Sequence, residues 1–216
     1  MGTDQDDAVA LDGRTLGRRG LETRRRLLDA TEELLRENGL RDLRVVDIAR
    51  RVGSSPATFY QYFKDADEAV LVLAWEVAEA VGPVVEIIDG SWEADEGLDR
   101  ARRLTTAYVE LWDAHHAVMR VRNLAADEGD RRFREARLAS VQQLTEHLCD
   151  KIAAFREAGR VSSRIDPYAA AASLVAMLER VGAYHWDVER FGPSPEAMID
   201  TPALIVYQTV TGSQAA

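Results

Sequence analysis

The sequence is short of cysteine and of long apolar runs, and each shortage excludes a class of protein. Cys149 is the single cysteine among 216 residues, so an intramolecular disulfide or a cysteine-based metal framework is excluded. No apolar run approaches the roughly 20 residues that a membrane-spanning helix needs. The first fifteen residues are acidic and polar, without the apolar core of a signal peptide. We therefore expect a cytoplasmic protein with no membrane partner.

Patterns typical of catalysis and metal binding are also missing. The adjacent pair His115 and His116 would point to different sides of a helix, and no cysteine or paired carboxylate accompanies the histidines. Ser140 and Ser173 have no His/Asp partners that would make a nucleophile, and there is no glycine-rich phosphate loop. We expect no enzyme activity, no catalytic residue, no metal site and no cofactor. An α-helical enzyme is a third hypothesis, which turnover of a candidate ligand would revive.

What the sequence does contain is helical periodicity, and it predicts an all-α fold of roughly nine helices. Strands rich in alternating Val, Ile and Thr do not stand out, and the six prolines fall mostly at predicted helix starts and connections. Residues 1–17 are predicted to be a disordered tail, because they are polar and contain almost no core residues. The first helix is predicted at about 21–38 and ended by Gly39, and a fourth starts at Asp65 or Asp67 and is kinked or broken at Gly82-Pro83. A loop is predicted at 89–97 and a break near Asp113–His116. A long helix follows at about 130–158, ended by Gly159, and the last helices are opened by Asp166-Pro167 and Ser194-Pro195.

Charge is distributed unevenly along the chain. The net charge is −10, but residues 13–64 sum to +5 and residues 65–216 to −11. A basic segment ahead of an acidic one suits a protein whose head meets phosphate and whose body does not. The distribution therefore favours a nucleic-acid partner despite the negative total.

Residues 45–63 read VVDIARRVGSSPATFYQYF and predict two short helices joined by a tight turn. Val45, Ile48, Ala49 and Val52 form an apolar face at helical spacing. Gly53 is a stop signal, and Ser55 followed by Pro56 is a good start for the next helix. This is the pattern of a helix-turn-helix, whose second helix enters the major groove of DNA.

The second of these helices has a predicted outer face of polar and aromatic residues. Phe59 and Phe63 are four apart and can face inward, which leaves Thr58, Tyr60, Gln61 and Tyr62 largely outside. Exposed tyrosines beside Lys64 suit hydrogen bonds to phosphate, and glutamine can pair with an adenine edge. The alternative is that one tyrosine packs against the first helix. Likewise, the run Arg24–Arg26 can be read as a solvated helix face.

These residues, with the arginine-rich first helix, resemble the DNA-binding domain of the TetR family of bacterial transcriptional regulators over about residues 21–72. The resemblance implies a helix-turn-helix domain at 18–65 and a ligand-binding and dimerisation domain at 66–216. Members are homodimers whose third helix reads DNA and whose body binds a small molecule. Ala66, Arg44 and Ser54 depart from the family pattern, which usually has Lys, Thr and an apolar residue there, and these departures bear on the strength of DNA binding.

The resemblance also assigns roles residue by residue. Thr58 and Tyr60 correspond to phosphate-contacting positions, and Lys64 lies at the exit of the third helix near a phosphate. Arg18 and Arg19 match a basic arm that often tracks the minor groove. Positions that face base edges or the neighbouring backbone are Ser55, Pro56, Ala57, Gln61 and Tyr62.

The body supplies candidates for an effector site and for a dimer interface. Its aromatic and Met residues can line an apolar pocket or form ordinary core. Trp75, Tyr108, Trp112 and Met119 are the best pocket candidates, because helices four to seven enclose the pocket in the family. The last two helices carry small and apolar residues, and in the family they pair across the dimer axis; an internal core is the alternative.

The expected function is a dimeric repressor that binds a palindromic operator in double-stranded DNA and is released by a small apolar or amphipathic effector. The alternative is a soluble small-molecule-binding protein with weakened or lost DNA binding, for which the missing Lys at Ala66 is the one supporting feature.

Overall fold

A computed structural model describes residues 11, 13, 15–39 and 42–213. These residues form helices joined by short connections, which confirms the all-α prediction. Most of the predicted tail, residues 1–10, 12 and 14, lies outside the described residues. The helices are α1 Arg18–Asn38, α2 Val45–Arg51, α3 Pro56–Phe59, α4 Ala66–Ala80, α5 Gly82–Glu86, α6 Ala94–Asp127, α7 Arg131–Glu157, α8 Pro167–Glu189 and α9 Pro195–Thr211.

The first helix buries the apolar stripe that the sequence indicates. Leu27, Ala30, Leu34 and Leu35 are all buried. The helix ends at Asn38, and the N–H of Gly39 donates to the carbonyl of Leu35 at 2.9 Å. Gly39 has a φ of 75°, which a residue without a Cβ adopts at little cost. The predicted glycine stop is therefore confirmed.

Two predicted interruptions are present, and one predicted loop is wrong in extent. A new helix begins at Gly82, directly before Pro83. The backbone of α6 leaves helical geometry at His115, with φ −119° and ψ 21°. The segment predicted as a loop at 89–97 is shorter than expected, because α6 already begins at Ala94 and carries acidic residues in its first turn.

The last two helices begin with the predicted caps. The Asp166 carboxylate accepts from the Ala169 N–H at 2.8 Å, and the Ser194 hydroxyl accepts from the Ala197 N–H at 3.1 Å. Pro202 is an exception to the expectation that prolines fall mostly at helix starts and connections, because it is buried inside α9. It has no N–H to donate within that helix.

The chain divides into two compact units. The first comprises the described residues up to Glu76 together with Ala117–Ala136, and the second comprises Val77–His116 together with the described residues from Arg137 onward. The fully buried aromatic side chains of the first unit are Phe59 and Phe63. No helix in the described part of the chain is both long and apolar enough to cross a membrane.

Candidate functional site

The segment from Ser55 to Lys64 places polar side chains above two buried phenylalanines. Ser55 caps α3, since its hydroxyl accepts from the Thr58 N–H at 3.2 Å. Beyond Phe59 the chain continues in tight turns, so the predicted second helix is only one turn long. Phe59 and Phe63 are 0% and 1% exposed, whereas Tyr60 is 51% exposed. Phe59 and Phe63 therefore face inward as predicted, and Tyr60 faces outward.

Part of the predicted outer face is exposed and part is half-buried. Tyr62 and Thr58 are half-buried. The exposed members are Ser55, Pro56, Ala57, Tyr60, Gln61 and Lys64.

The turn between α2 and α3 is closed by backbone hydrogen bonds. Gly53 has a φ of 69°, a conformation that favours glycine. The N–H of Ser54 donates to the Ala49 carbonyl at 2.9 Å. Arg26 from α1 donates to the Val52 carbonyl at 2.7 Å and so holds the end of α2. The turn fixes the direction in which α3 leaves α2.

Arginine side chains connect α1 to its neighbours. Arg51 of α2 donates to Glu37 at 3.0 and 2.7 Å and to Glu33 at 3.1 Å. These hydrogen bonds lower the pKa of Glu37 and raise that of Arg51. Arg25 donates to Glu76 of α4 at 2.7 Å. Of the run Arg24–Arg26, which the sequence allows to be a solvated helix face, Arg25 and Arg26 are exposed and Arg24 is half-buried. Arg24 also lies over the ring of Phe63, with its Cζ 5.3 Å from the centroid.

Other cations of the head have no such partner. Among the described basic side chains of residues 18–65, those of Arg19, Arg44 and Lys64 form neither an ion pair nor a side-chain hydrogen bond within the chain. All three are exposed. Arg18 is also exposed and lies 3.9 Å from Glu22. These positive charges are available to an external anion.

The start of α4 is capped without the lysine that the family usually has there. The Asp65 carboxylate accepts from the Glu68 N–H at 2.8 Å. In return, Glu68 accepts from the backbone N–H of Lys64. This reciprocal arrangement satisfies backbone donors at the helix start in the manner of a capping box. Ala66 therefore occurs at a helix start that is fixed by other residues.

The start of α2 is different. Arg44 occupies its N-cap, and its side chain makes no capping hydrogen bond. The guanidinium group is a donor only, so it cannot satisfy the free N–H groups at a helix start.

The four predicted effector residues are divided between the two units. Trp75 is 41% exposed and Met119 is 1% exposed, and both belong to the first unit. Tyr108 and Trp112 belong to the second unit, one turn apart on α6, and are 2% and 1% exposed. The Trp112 Nε1 atom is buried and has no hydrogen-bond partner among the described residues.

A histidine that the sequence reading did not use joins α6 to α8 in the second unit. The ring of His185 lies 3.0 Å from Asp113 through Nε2 and 3.0 Å from Glu189 through Nδ1. The Trp186 indole also donates to Asp113, at 3.2 Å. Burial disfavours the charged imidazole, but the hydrogen bonds to the two carboxylates outweigh it and raise the pKa of His185. The i, i+4 spacing of His185 and Glu189 was the available signal.

Nothing in the described part of the chain resembles a metal centre, since three or more metal-ligating side chains nowhere come together there. His115 occupies the non-helical position of α6, and His116 contacts the ring of Trp186 edge-on at 4.5 Å.

Comparison with known proteins matches both parts of the chain to one family. Residues 27–70 match the model described as bacterial regulatory proteins, tetR family. Residues 84–216 match the model of the tetracyclin repressor-like C-terminal domain. No curated protein sequence matches the chain.

Solved structures share the fold at low sequence identity. A protein from Rhodococcus sp. assigned to the TetR family of transcriptional regulators is 21% identical, with a TM-score of 0.67 over 88% of this chain and 99% of that one. The fatty acid degradation regulator FadR from Bacillus halodurans is 19% identical, with a TM-score of 0.63 over 90% and 97%. FadR from Bacillus subtilis, in complex with stearoyl-CoA, is 17% identical, with a TM-score of 0.63 over 88% and 99%.

The helix-turn-helix geometry of the head and the family match that extends through the body agree with each other. The chain belongs to the TetR family of bacterial transcriptional regulators.

Proposed function

We propose that the protein is a repressor that binds a palindromic operator as a homodimer and leaves it when a small hydrophobic or amphipathic effector binds. The observation that carries the proposal is the face of α3 and its exit: Tyr60 and Gln61 are exposed directly beside the buried Phe59 and Phe63. A hydrophobic anchor below and hydrogen-bonding groups above are what a recognition element needs.

The proposed DNA contacts divide into positioning and reading. Thr58 and Tyr60 donate to phosphates, and Lys64 adds a positive charge that pairs with no carboxylate among the described residues. Gln61 is the residue best suited to a base edge, because an amide can pair with adenine through two hydrogen bonds. Tyr62 and the residues Ser55, Pro56 and Ala57 flank it. Arg18 and Arg19, at the start of α1, supply the basic arm.

The proposed dimer interface is the outward face of α8 and α9. Tyr168, Tyr184 and Val188 of α8 are 55%, 37% and 39% exposed, and Ile205 of α9 is 41% exposed. Small exposed residues, Ala169, Ala172 and Ala176, lie between them. A two-fold dimer reads two half-sites about 34–36 Å apart, so operator symmetry follows from protein symmetry.

The proposed effector site uses Tyr108 and Trp112 on α6, both in the second unit. Their apolar and aromatic character favours a molecule with a hydrophobic part. The stearoyl-CoA bound by the Bacillus subtilis FadR is an example of such a molecule in a protein of the same fold. Effector and operator then stabilise different conformational states, and each lowers the affinity for the other by the same factor.

The experiment that tests the repressor is selection of random duplex DNA with the purified protein at low salt. A recovered palindrome whose affinity falls steeply with salt supports the proposal. The variant Gln61→Ala should change the recovered sequence, whereas Gln143→Ala, at an exposed position of α7, should not.

Absence of any selected sequence at low salt would contradict operator binding. It would favour the alternative of a small-molecule-binding protein that has lost DNA affinity. The observation that supports this alternative is Ala66, where the family usually has a lysine.

A further inference from the structure

The four tryptophans differ in what their indole N–H groups do. Trp92 donates to the Ile88 carbonyl at 2.9 Å, and Trp186 donates to Asp113 at 3.2 Å. Trp75 is 41% exposed, so water can accept its hydrogen bond. Trp112 is 1% exposed, and its Nε1 has no acceptor among the described residues. It is the unusual member of the set.

Burial of an unsatisfied donor is unfavourable, so the position of Trp112 needs an explanation. Indole Nε1 is a donor only, so the side chain cannot satisfy itself by rotating to accept a hydrogen bond. Such a group is less stable than one that has a hydrogen-bond partner. A ligand acceptor that hydrogen-bonds to Nε1 removes this penalty. Trp92, whose N–H already has a protein acceptor, gives a ligand no such gain.

The surroundings hold the Trp112 ring in place from the side of α8. A Cβ atom at Gly182 would lie 2.4 Å from Cδ1 of Trp112, so only glycine allows this approach of helix and indole. Tyr108 is buried one turn earlier on α6, and the non-helical residue His115 follows within one turn. The donor is thus attached to a fixed ring beside an interruption of the helix.

The chemistry around Trp112 restricts what can accept from it. A cation has no lone pair to offer an N–H donor, so a cationic group is excluded at this point. An anionic group is disfavoured, because residues 65–216 carry a net charge of −11 and Asp113 is the next residue along α6. An uncharged oxygen, as in a ketone, ester or amide, satisfies the donor without either penalty.

We propose that the Trp112 indole N–H is the hydrogen-bond donor of the effector site, and that it selects effectors carrying an uncharged oxygen acceptor on an apolar body. The inference rests on the proposed function only in identifying the bound molecule as the effector. It adds a polar requirement to a site otherwise defined by aromatic and apolar residues.

The test uses the full-length protein labelled with 15N at its four indole nitrogens. Single Trp→Phe variants assign each resonance. In the free protein, the Trp112 proton should resonate upfield of the Trp92 and Trp186 protons, because both of those are hydrogen-bonded. The probes are two matched pairs, acetophenone with ethylbenzene and 2-octanone with octane. Each ketone should move the Trp112 resonance downfield, and neither hydrocarbon should.

The binding affinities of the same ketones and hydrocarbons provide a second measurement. The preference for a ketone over its hydrocarbon should fall roughly fivefold in Trp112→Phe, the ratio that corresponds to one hydrogen bond of about 1 kcal/mol. Trp92→Phe is the control, because it removes an indole whose N–H already has a protein acceptor, and the preference should persist in it.

Three results would overturn the inference: a Trp112 resonance already at a hydrogen-bonded position in the free protein, no response to either ketone, or an unchanged preference in Trp112→Phe. Operator binding is measured separately on the same samples. If the ketones shift the Trp112 resonance in a protein that binds no DNA, the repressor proposal is contradicted and the donor role is supported. If the protein binds an operator but its Trp112 resonance responds to neither ketone, the repressor proposal stands and the donor role is wrong.

Discussion

The helix-turn-helix and the second unit hold their candidate residues in opposite ways. In the head, the proposed DNA-contacting surface comes mainly from ten consecutive residues, 55–64, whose directions are fixed by a cap and a turn within the same stretch. In the second unit, the histidine cluster joins Asp113 to His185, residues 72 positions apart. A surface formed by neighbours in sequence can be recognised as a sequence motif, whereas a cluster that forms only when helices pack cannot.

The two regions also use charge differently. In the head, Arg25, Arg26 and Arg51 hold helices together, while Arg19, Arg44 and Lys64 have no partner within the chain among the described residues. In the second unit, His185 is shared between two carboxylates. The head therefore leaves the cations of Arg19, Arg44 and Lys64 unpaired among the described residues, whereas the second unit holds one imidazole between two carboxylates.

The largest expected effect is on stability, and it should distinguish the buried from the exposed residues of α3 and its exit. Phe59→Ala should lower the free energy of unfolding by about 3–5 kcal/mol, because it truncates a fully buried ring. Tyr60→Ala, at the exposed neighbour, should change stability by less than about 1 kcal/mol and reduce DNA affinity. Urea unfolding and operator titration of both variants provide the comparison. Equal destabilisation by the two would show that the faces are not distinct.

A smaller effect is expected where α8 approaches Trp112. Gly182→Ala should destabilise the protein by about 1–3 kcal/mol, because the new methyl would lie 2.4 Å from the indole. Trp112→Leu in the same chain should remove much of this penalty, so the two changes should be strongly non-additive. Thermal unfolding of the single and double variants measures the coupling. Additive losses would mean that the contact is not the source of the effect.

The histidine cluster predicts a dependence of stability on pH. The pKa of His185 is raised in the folded protein, so its contribution is fully present below the unfolded value of about 6.5 and is lost as pH rises through the folded pKa. His185→Gln should therefore cost about 1–2 kcal/mol at pH 6 and less at pH 9. Urea unfolding at both pH values measures this difference.

His147 is the matched control for that experiment. Its 3.0 Å pair with Asp89 is more exposed, with side chains 40% and 59% accessible. His147→Gln should change stability little at either pH, because exposed pairs contribute little. A His185→Gln cost that does not vary with pH would argue that the ring acts by packing and not by charge.

The smallest expected effect concerns a single phosphate contact. Lys64→Gln should reduce the slope of log affinity against log salt by about 0.9, the release of one counterion, without changing the preferred sequence. Arg36→Gln, at an exposed side chain that lies 3.7 Å from the half-buried Glu32 near the end of α1, should leave the slope unchanged. Filter binding at several salt concentrations measures this slope for both variants. A change in sequence preference for Lys64→Gln would assign that side chain to base reading.

Sequence reasoning reached the features that depend on neighbouring residues. The caps Asp166 and Ser194 and the stop at Gly39 follow from local backbone chemistry. Pro202 is different, because it lies inside α9, where helix packing tolerates a proline that local propensity disfavours.

The remaining candidate-site features depend on which helix faces meet. The partners of Arg26 and Arg51 lie on other elements, so nothing near them in sequence indicates the hydrogen bonds. The same holds for Asp113 with His185 and for the isolated N–H of Trp112. The aromatic pattern of the body could indicate candidates but could not distinguish a satisfied indole from an unsatisfied one.

The cap of α3 has a further consequence for Thr58. Besides accepting from the Thr58 backbone, the Ser55 hydroxyl lies 3.1 Å from the Thr58 hydroxyl, so that side chain already has a preferred rotamer. Conformational entropy that a free threonine would lose on meeting a phosphate is thus lost during folding instead. Replacement of Ser55 would return that freedom to Thr58, and its cost would appear in the entropy of association as well as in the stability of a four-residue helix.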